Sequence, residues 1–180
     1  MLRRPTKLIL FFTVLLSFFL SPVASSPWAQ SQTFDVCFTP GEDCTEKIVK
    51  ALSQGHSSIF VQAYSFTSAP IAKALIDAHK RGVQVEVILD KSQRREKYSS
   101  ADFIAHAGIP TYIDSQHSIA HNKVMVIDGL TVVTGSFNFT KAAQEKNAEN
   151  LLVIHDKALA TRYVVNWEFH RKHSDIYRGR

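Results

Sequence analysis

The 180-residue chain is predicted to form a single α/β domain on a mixed, largely parallel central β-sheet flanked by helices. Three observations lead to this class. Hydrophobic residues make up 45% of the chain, enough for a packed core and too many for a disordered one. Residues 58–89 read as strand, capped helix, strand, a βαβ unit whose strands lie parallel. Apolar strand-like runs then alternate with helical patterns toward the C-terminus. The length suits one domain, and neither a heptad run nor a 20–50-residue repeat is present.

The elements follow in order. Arg3, Arg4 and Lys7 precede the apolar run Leu8–Leu20, and Pro22 with the small residues Val23–Ser26 comes after it. This pattern predicts a secretory signal peptide over residues 1–25, leaving 26–180 as the folded domain. The run is shorter than the about 20 residues of a spanning helix, and an uncleaved anchor is the competing reading. Removing residues 1–25 takes away three basic groups, leaving 18 against 16 acidic ones and a net charge of +2 rather than +5. The overall charge therefore says little about partners. Export implies an oxidising compartment, where Cys37 and Cys44 form either a disulfide closing residues 38–43 or a pair of partly buried thiols. Two cysteines and a distant His56 do not make a zinc site.

Thr33–Phe38 alternates, with Phe34, Val36 and Phe38 on one side expected to be the buried face. Thr45–Gln54 reads as a helix stopped by Gly55. Ser58–Phe66 is a strand, and Ser68 with Pro70 opens a helix carrying Ile71, Ala74, Leu75 and Ala78. Gly82 ends it and Val83–Leu89 forms the next strand. A helix over 99–107 and a short strand at 111–113 follow. Lys123–Ile127 and Thr131–Thr134 are joined by Asp128-Gly129, a strong hairpin signal. Leu151–Ile154 is a further strand, and Ala160, Tyr163, Val164 and Trp167 mark the last helix. The tail from Ser174 reads as loose.

Two segments carry chemistry. Lys91, Arg94, Arg95 and Lys97 cluster between a strand and a helix, either as a solvated loop or as contacts to a nucleic-acid backbone. His121 and Lys123 stand two apart, so on a strand they share a face. Imidazole can attack or move protons while ammonium neutralises an anionic substrate. Ser136 and Asn138 can bring a hydroxyl and an amide to the same place, or can cap the helix near Thr140. Asp128 is explained as a turn residue. No carboxylate cluster accompanies these residues, so a divalent metal is not expected.

His121-Asn122-Lys123, Asp128 and Gly135-Ser136-Phe137-Asn138 together resemble the HxKxxxxD…GSxN signature of the phospholipase D superfamily. Ala63-Tyr64-Ser65-Phe66-Thr67, Lys80-Arg81-Gly82-Val83 and the run Gly135–Ala143 resemble the small bacterial endonucleases of that superfamily, over nearly the whole of residues 26–180. In that family two motif copies meet at one site. Here His155-Asp156-Lys157 is followed by Arg162 where the aspartate belongs, and His170-Arg171-Lys172 by Tyr177. One copy in so short a chain implies a homodimer with a site shared across its two-fold axis.

The resemblance implies phosphodiester hydrolysis through a phosphohistidine, one His121 attacking phosphorus and the other serving as acid and then base. Lys123 and Asn138 would hold the non-bridging oxygens, Ser136 would support the site, and Glu149 would orient the nucleophilic histidine. Asp128 would be structural, with no metal or other cofactor required. The expected substrate is DNA, with RNA as a second candidate, cut without sequence specificity. The expected location is the bacterial periplasm or the medium, without stable membrane association once the signal is removed. A lipid phosphodiesterase is the alternative, and a non-catalytic DNA-binding dimer a third reading.

Overall fold

The computed structural model describes residues 33–180, so the candidate signal segment 1–25 lies outside the described residues. The elements are β1 (Thr33–Thr39), α1 (Cys44–Ser53), β2 (Ser58–Ala63), α2 (Ala69–Lys80), β3 (Gln84–Asp90) and a short 3-10 helix (Lys91–Arg94). They continue with α3 (Ala101–His106), β4 (Thr111–Asp114), β5 (Lys123–Ile127), β6 (Thr131–Gly135) and α4 (Lys141–Glu145). β7 (Glu149–His155), α5 (Lys157–His173) and β8 (Asp175–Tyr177) complete the chain. The strands form one sheet in the order β1-β7-β6-β5-β2-β3-β4-β8. Among the described residues no helix is long and apolar enough to cross a membrane.

The sheet is mixed, as expected, but it is not largely parallel. Only β2–β3 and β3–β4 pair in parallel. The chain leaves β4 by a loop, returns antiparallel beside β2, and then meanders through β5, β6 and β7 to meet β1. The meander needs no crossover helices, so parallel pairing stops where the βαβ units stop. One face packs on α1, α2 and α3: Ile48, Leu52, Ile71, Leu75 and Ile104 lie against Val61, Val87, Leu89 and Met125. Each such side chain contributes roughly 1.5–3 kcal/mol by leaving water. On the other face α5 sets Ala160 against Val124, Val126 and Val132, and Trp167 against Ile88 and Tyr112. Trp167 stacks on Phe60 at 4.7 Å and donates its indole N–H to the Val61 carbonyl at 2.9 Å.

Three local expectations change. In β1 the buried residues are Cys37 and Thr39, whereas Phe34 and Phe38 are 69% and 56% exposed. Cys37 is drawn inward by its disulfide to Cys44 at the start of α1, which resolves the cysteine pair and turns the aromatic face outward. The C-terminal tail is not loose: β8 pairs with β4, and Tyr177 and Arg180 both bond the Asp102 carboxylate. Thr140 caps α4 through its own hydroxyl, which accepts from Ala143 N–H, leaving Ser136 and Asn138 free of that duty.

Asp128 and Gly129 both adopt positive φ, 55° and 61°, as a two-residue type I′ hairpin requires. The Asp128 carboxylate accepts the backbone N–H groups of His56, Ser57 and Ser58 and the Ser57 hydroxyl, and Asp128 N–H donates to the Ser58 carbonyl at 2.8 Å. The hairpin tip is thereby fastened to the start of β2. Burial alone would raise the Asp128 pKa, but the bonds from Ser58, Ser57 and His56 outweigh it and hold the carboxyl below its ordinary 3.8. Its stabilising contribution is present above that ordinary value and is lost as pH falls through the folded pKa. Asp128→Asn tolerates the positive φ but turns an N–H₂ toward one of those donors. Urea unfolding at neutral pH should show a loss of roughly 1–2 kcal/mol, and the gap to the wild type should narrow below about pH 4.

Candidate active site

The end of the sheet opposite the Asp128 hairpin gathers the signature residues. Lys123, the first residue of β5, lies opposite Ala63, the last of β2. Gly135, the last residue of β6, lies opposite Leu151, close to Glu149 at the start of β7. His121 projects from the loop just before β5, and Ser136 and Asn138 follow directly on β6. His121, Lys123, Gly135, Ser136, Asn138 and Glu149 line one open cavity of about 400 Å³. Asp128 is not among them; it lines a separate cavity of about 500 Å³ at the far end of the hairpin.

Lys123 is only 7% exposed. Its ammonium donates to the His121 carbonyl at 2.9 Å and lies 5.1 Å from the centre of the Tyr64 ring. The His121 ring sits 4.6 Å from the same Tyr64, so one aromatic residue touches both signature side chains. Burial pushes the Lys123 pKa down, and the nearby Glu149 charge opposes that shift. His121 itself is exposed at the cavity mouth. A buried cation below an accessible imidazole suits an anionic group undergoing attack.

Glu149 does not make the expected bond to His121 within the chain. Its carboxylate accepts the Ser136 hydroxyl at 2.6 Å and the Asn147 amide at 2.9 Å. Ser136 Oγ in turn accepts from Asn150 N–H at 3.0 Å. Ser136 thus ties the loop after β6 to β7, while Glu149 acts on Lys123 through its charge. The Asn138 side-chain oxygen is buried without a partner, a cost of about 1–3 kcal/mol. Thr67 and Ser68 N–H groups hold the Phe139 carbonyl, which fixes Asn138 in place.

The four basic residues of the 91–97 segment lie outside this cavity. Lys91 donates to the His117 carbonyl at 2.9 Å, Arg94 pairs with Asp175 at 3.4 Å over the Tyr177 ring, and Lys97 lies against Tyr98. Arg95 is exposed. The segment's acidic neighbour bears more directly on the site. Buried Asp90 accepts Ser92 N–H and Ala120 N–H, both at 2.8 Å, and so anchors the residue preceding His121. Sequence reasoning passed over Asp90 and gave Tyr64 no role. It also missed a group far from the cysteines, Asp114 with His117, His170 and His173, whose ligand atoms lie within 4.8 Å of one another. The His170-x-x-His173 spacing on a helix face was the available signal.

Gly135 has φ +151°, and a Cβ there would stand 2.3 Å from the Asn150 carbonyl oxygen. Gly135→Ala must therefore shift β6 against β7 and displace Ser136 and Asn138. We expect a loss of roughly 2–4 kcal/mol in chemical unfolding, together with a fall in any activity of this site.

Residues 48–171 match the family model described as "Cardiolipin synthase, PLD-like domain". A phospholipase D of Rickettsia typhi is 44% identical over 151 residues, covering 84% of this chain and 74% of that protein. The match spans about two thirds of its counterparts in other Rickettsia species. A mitochondrial cardiolipin hydrolase of Xenopus laevis is 30% identical, covering 92% of this chain and 77% of that one. The crystal structure of Nuc, a phospholipase D family member from Salmonella typhimurium, superposes with a TM-score of 0.79 at 38% identity, covering 82% of this chain and 99% of that one. With its sheet, its signature residues around one cavity and these likenesses in agreement, the chain belongs to the phospholipase D superfamily of phosphodiesterases.

Proposed function

We propose that the protein is an exported, non-specific endonuclease that hydrolyses DNA phosphodiester bonds, and RNA by the same backbone chemistry. The observation that carries this reading is the cavity in which exposed His121 stands over buried Lys123, with Asn138 and the Ser136–Glu149 pair on its rim. Its likeness to Nuc, a phospholipase D family member, supports a phosphodiester substrate, and contacts to the backbone alone carry no sequence information. His121 attacks phosphorus, forming an N–P bond as the P–O bond to the leaving group breaks. His121 of the partner subunit protonates that oxygen, then takes a proton from the water that hydrolyses the phosphohistidine. Lys123 and the Asn138 amide hold the non-bridging oxygens as charge builds on them. The side chains of the site supply nucleophile, acid and cations, so no step passes through a metal.

Each chain supplies one signature histidine, and the two-histidine scheme therefore calls for a second copy. The surface beside the site suits it. α5 covers β2 to β6, but β1 at the sheet edge leaves Phe34 and Phe38 exposed, and Phe38 pairs with Asn150 next to Glu149. An apolar face bordering a half-site is where a two-fold copy would dock.

A lipid phosphodiesterase is the second reading. Ile119, 54% exposed two residues before His121, offers an apolar side chain on the segment that leads to it, and the rickettsial relatives carry the name phospholipase D. Assays on plasmid DNA and on phosphatidylcholine or cardiolipin vesicles separate the two.

Wild-type protein should nick plasmid DNA in the presence of EDTA, and His121→Ala should lose at least about a thousandfold in rate. Turnover of vesicles without nicking would replace the nuclease reading with the lipid one. Light scattering should report a dimer for the wild type. Phe38→Asp should shift it toward monomer and lower nicking in proportion; full activity in a monomer would exclude the shared site.

A further inference from the structure

Four side chains outside the active-site cavity converge at the C-terminal end of β4, at the same end of the sheet as Lys123 but three strands across. Asp114, the last residue of that strand, is fully buried. His117 comes from the loop that follows, and His170 and His173 stand one turn apart near the end of α5. Asp114 Oδ2 lies 3.0 Å from His117 Nδ1, 2.8 Å from His170 Nδ1 and 3.3 Å from His173 Nε2. The three imidazole rings also touch one another, with centroids 4.9 to 5.3 Å apart.

The three imidazole nitrogens crowd around a fully buried carboxylate, whose Oδ1 also accepts Gln116 N–H at 3.1 Å and lies 3.1 Å from His117 Nδ1. Each neutral imidazole can present a lone pair and the carboxylate its charge, so these four groups can also hold a cation. The donor set, three nitrogens and one oxygen, suits zinc and neighbouring transition metals rather than calcium or magnesium. All four ligand atoms already lie within 4.8 Å of one another. A tetrahedral ion at about 2.0–2.1 Å from each needs them roughly 3.3 Å apart, a contraction that small rotations of the rings supply.

We propose that Asp114, His117, His170 and His173 form a structural zinc site. Four protein ligands close the coordination sphere, which marks a structural rather than a catalytic ion. The site lies three strands from Lys123, about 14 Å across the sheet at the usual strand spacing. It joins the end of α5 to the segment 115–120 that leads into His121, the same segment that Asp90 holds at Ala120. Zinc would thus fasten the last helix to the loop carrying the reactive imidazole. The proposal does not depend on the identity of the substrate.

The test titrates chelator-stripped full-length protein with zinc alone, by calorimetry and by metal analysis after dialysis. Wild type and His121→Ala should each bind one zinc per chain and melt at higher temperature when loaded. The double variant His170→Ala/His173→Ala should bind none and show no zinc-dependent shift. His117→Ala, a change at a loop residue whose side chain is 43% exposed, guards against misfolding and should weaken zinc binding about tenfold or more. Absence of zinc binding by the wild type, binding unchanged by loss of His117, or binding abolished by His121→Ala would each overturn the proposal.

Discussion

The register of β5 against β2 is the constraint on which the site depends. A strand shifted by one residue turns every side chain to the other face. Here both ends of β5 are fastened. At the hairpin end the Asp128 carboxylate gathers the N–H groups of residues 56 to 58, and at the site end Tyr64 N–H donates to the Asn122 carbonyl at 2.8 Å. Between these clamps Lys123 has one partner position, Ala63, and is buried at the sheet's end beside Tyr64. The signature aspartate therefore serves the signature lysine from the opposite end of the strand.

Acidic side chains do similar work elsewhere. Asp90 holds Ala120, Asp102 holds the C-terminal residues, Asp114 draws three histidines together, and Glu149 binds Ser136 and Asn147. Each carboxylate is taken up by donors from distant parts of the chain. None of them forms an ion pair with Lys123, so its ammonium is left to meet an anion from outside, with Glu149 near enough to favour its charged form. A site for phosphate needs a cation that the fold itself does not neutralise, and this division of labour provides one.

The two faces of the sheet are finished differently. α1 to α3 seal one face over most of its width, and α5 seals the other only as far as β6. The exposed aromatic side chains of β1, Phe34 and Phe38, lie along the strand that pairs with β7, where Phe38 meets Asn150 next to Glu149.

Much of this was legible in the residues. The βαβ unit, the Asp128-Gly129 hairpin and the single domain follow from local periodicity and turn chemistry, which act over a few neighbouring residues. The fixed gaps from His121 to Asn138 named the family and most of the cavity's lining, because adjacent strand ends carry them. What lay beyond local patterning was decided by tertiary structure. Pairing direction beyond β4 depends on where the returning chain inserts, so a largely parallel sheet proved to be largely antiparallel. The Cys37–Cys44 bridge chose the buried face of β1 against its hydrophobic pattern. Within the chain the Glu149 carboxylate meets Ser136 and Asn147, and the Asp114 cluster assembles from residues up to 59 positions apart. Such contacts are settled by packing in three dimensions, and a linear pattern holds no record of which distant donors will meet a given carboxylate.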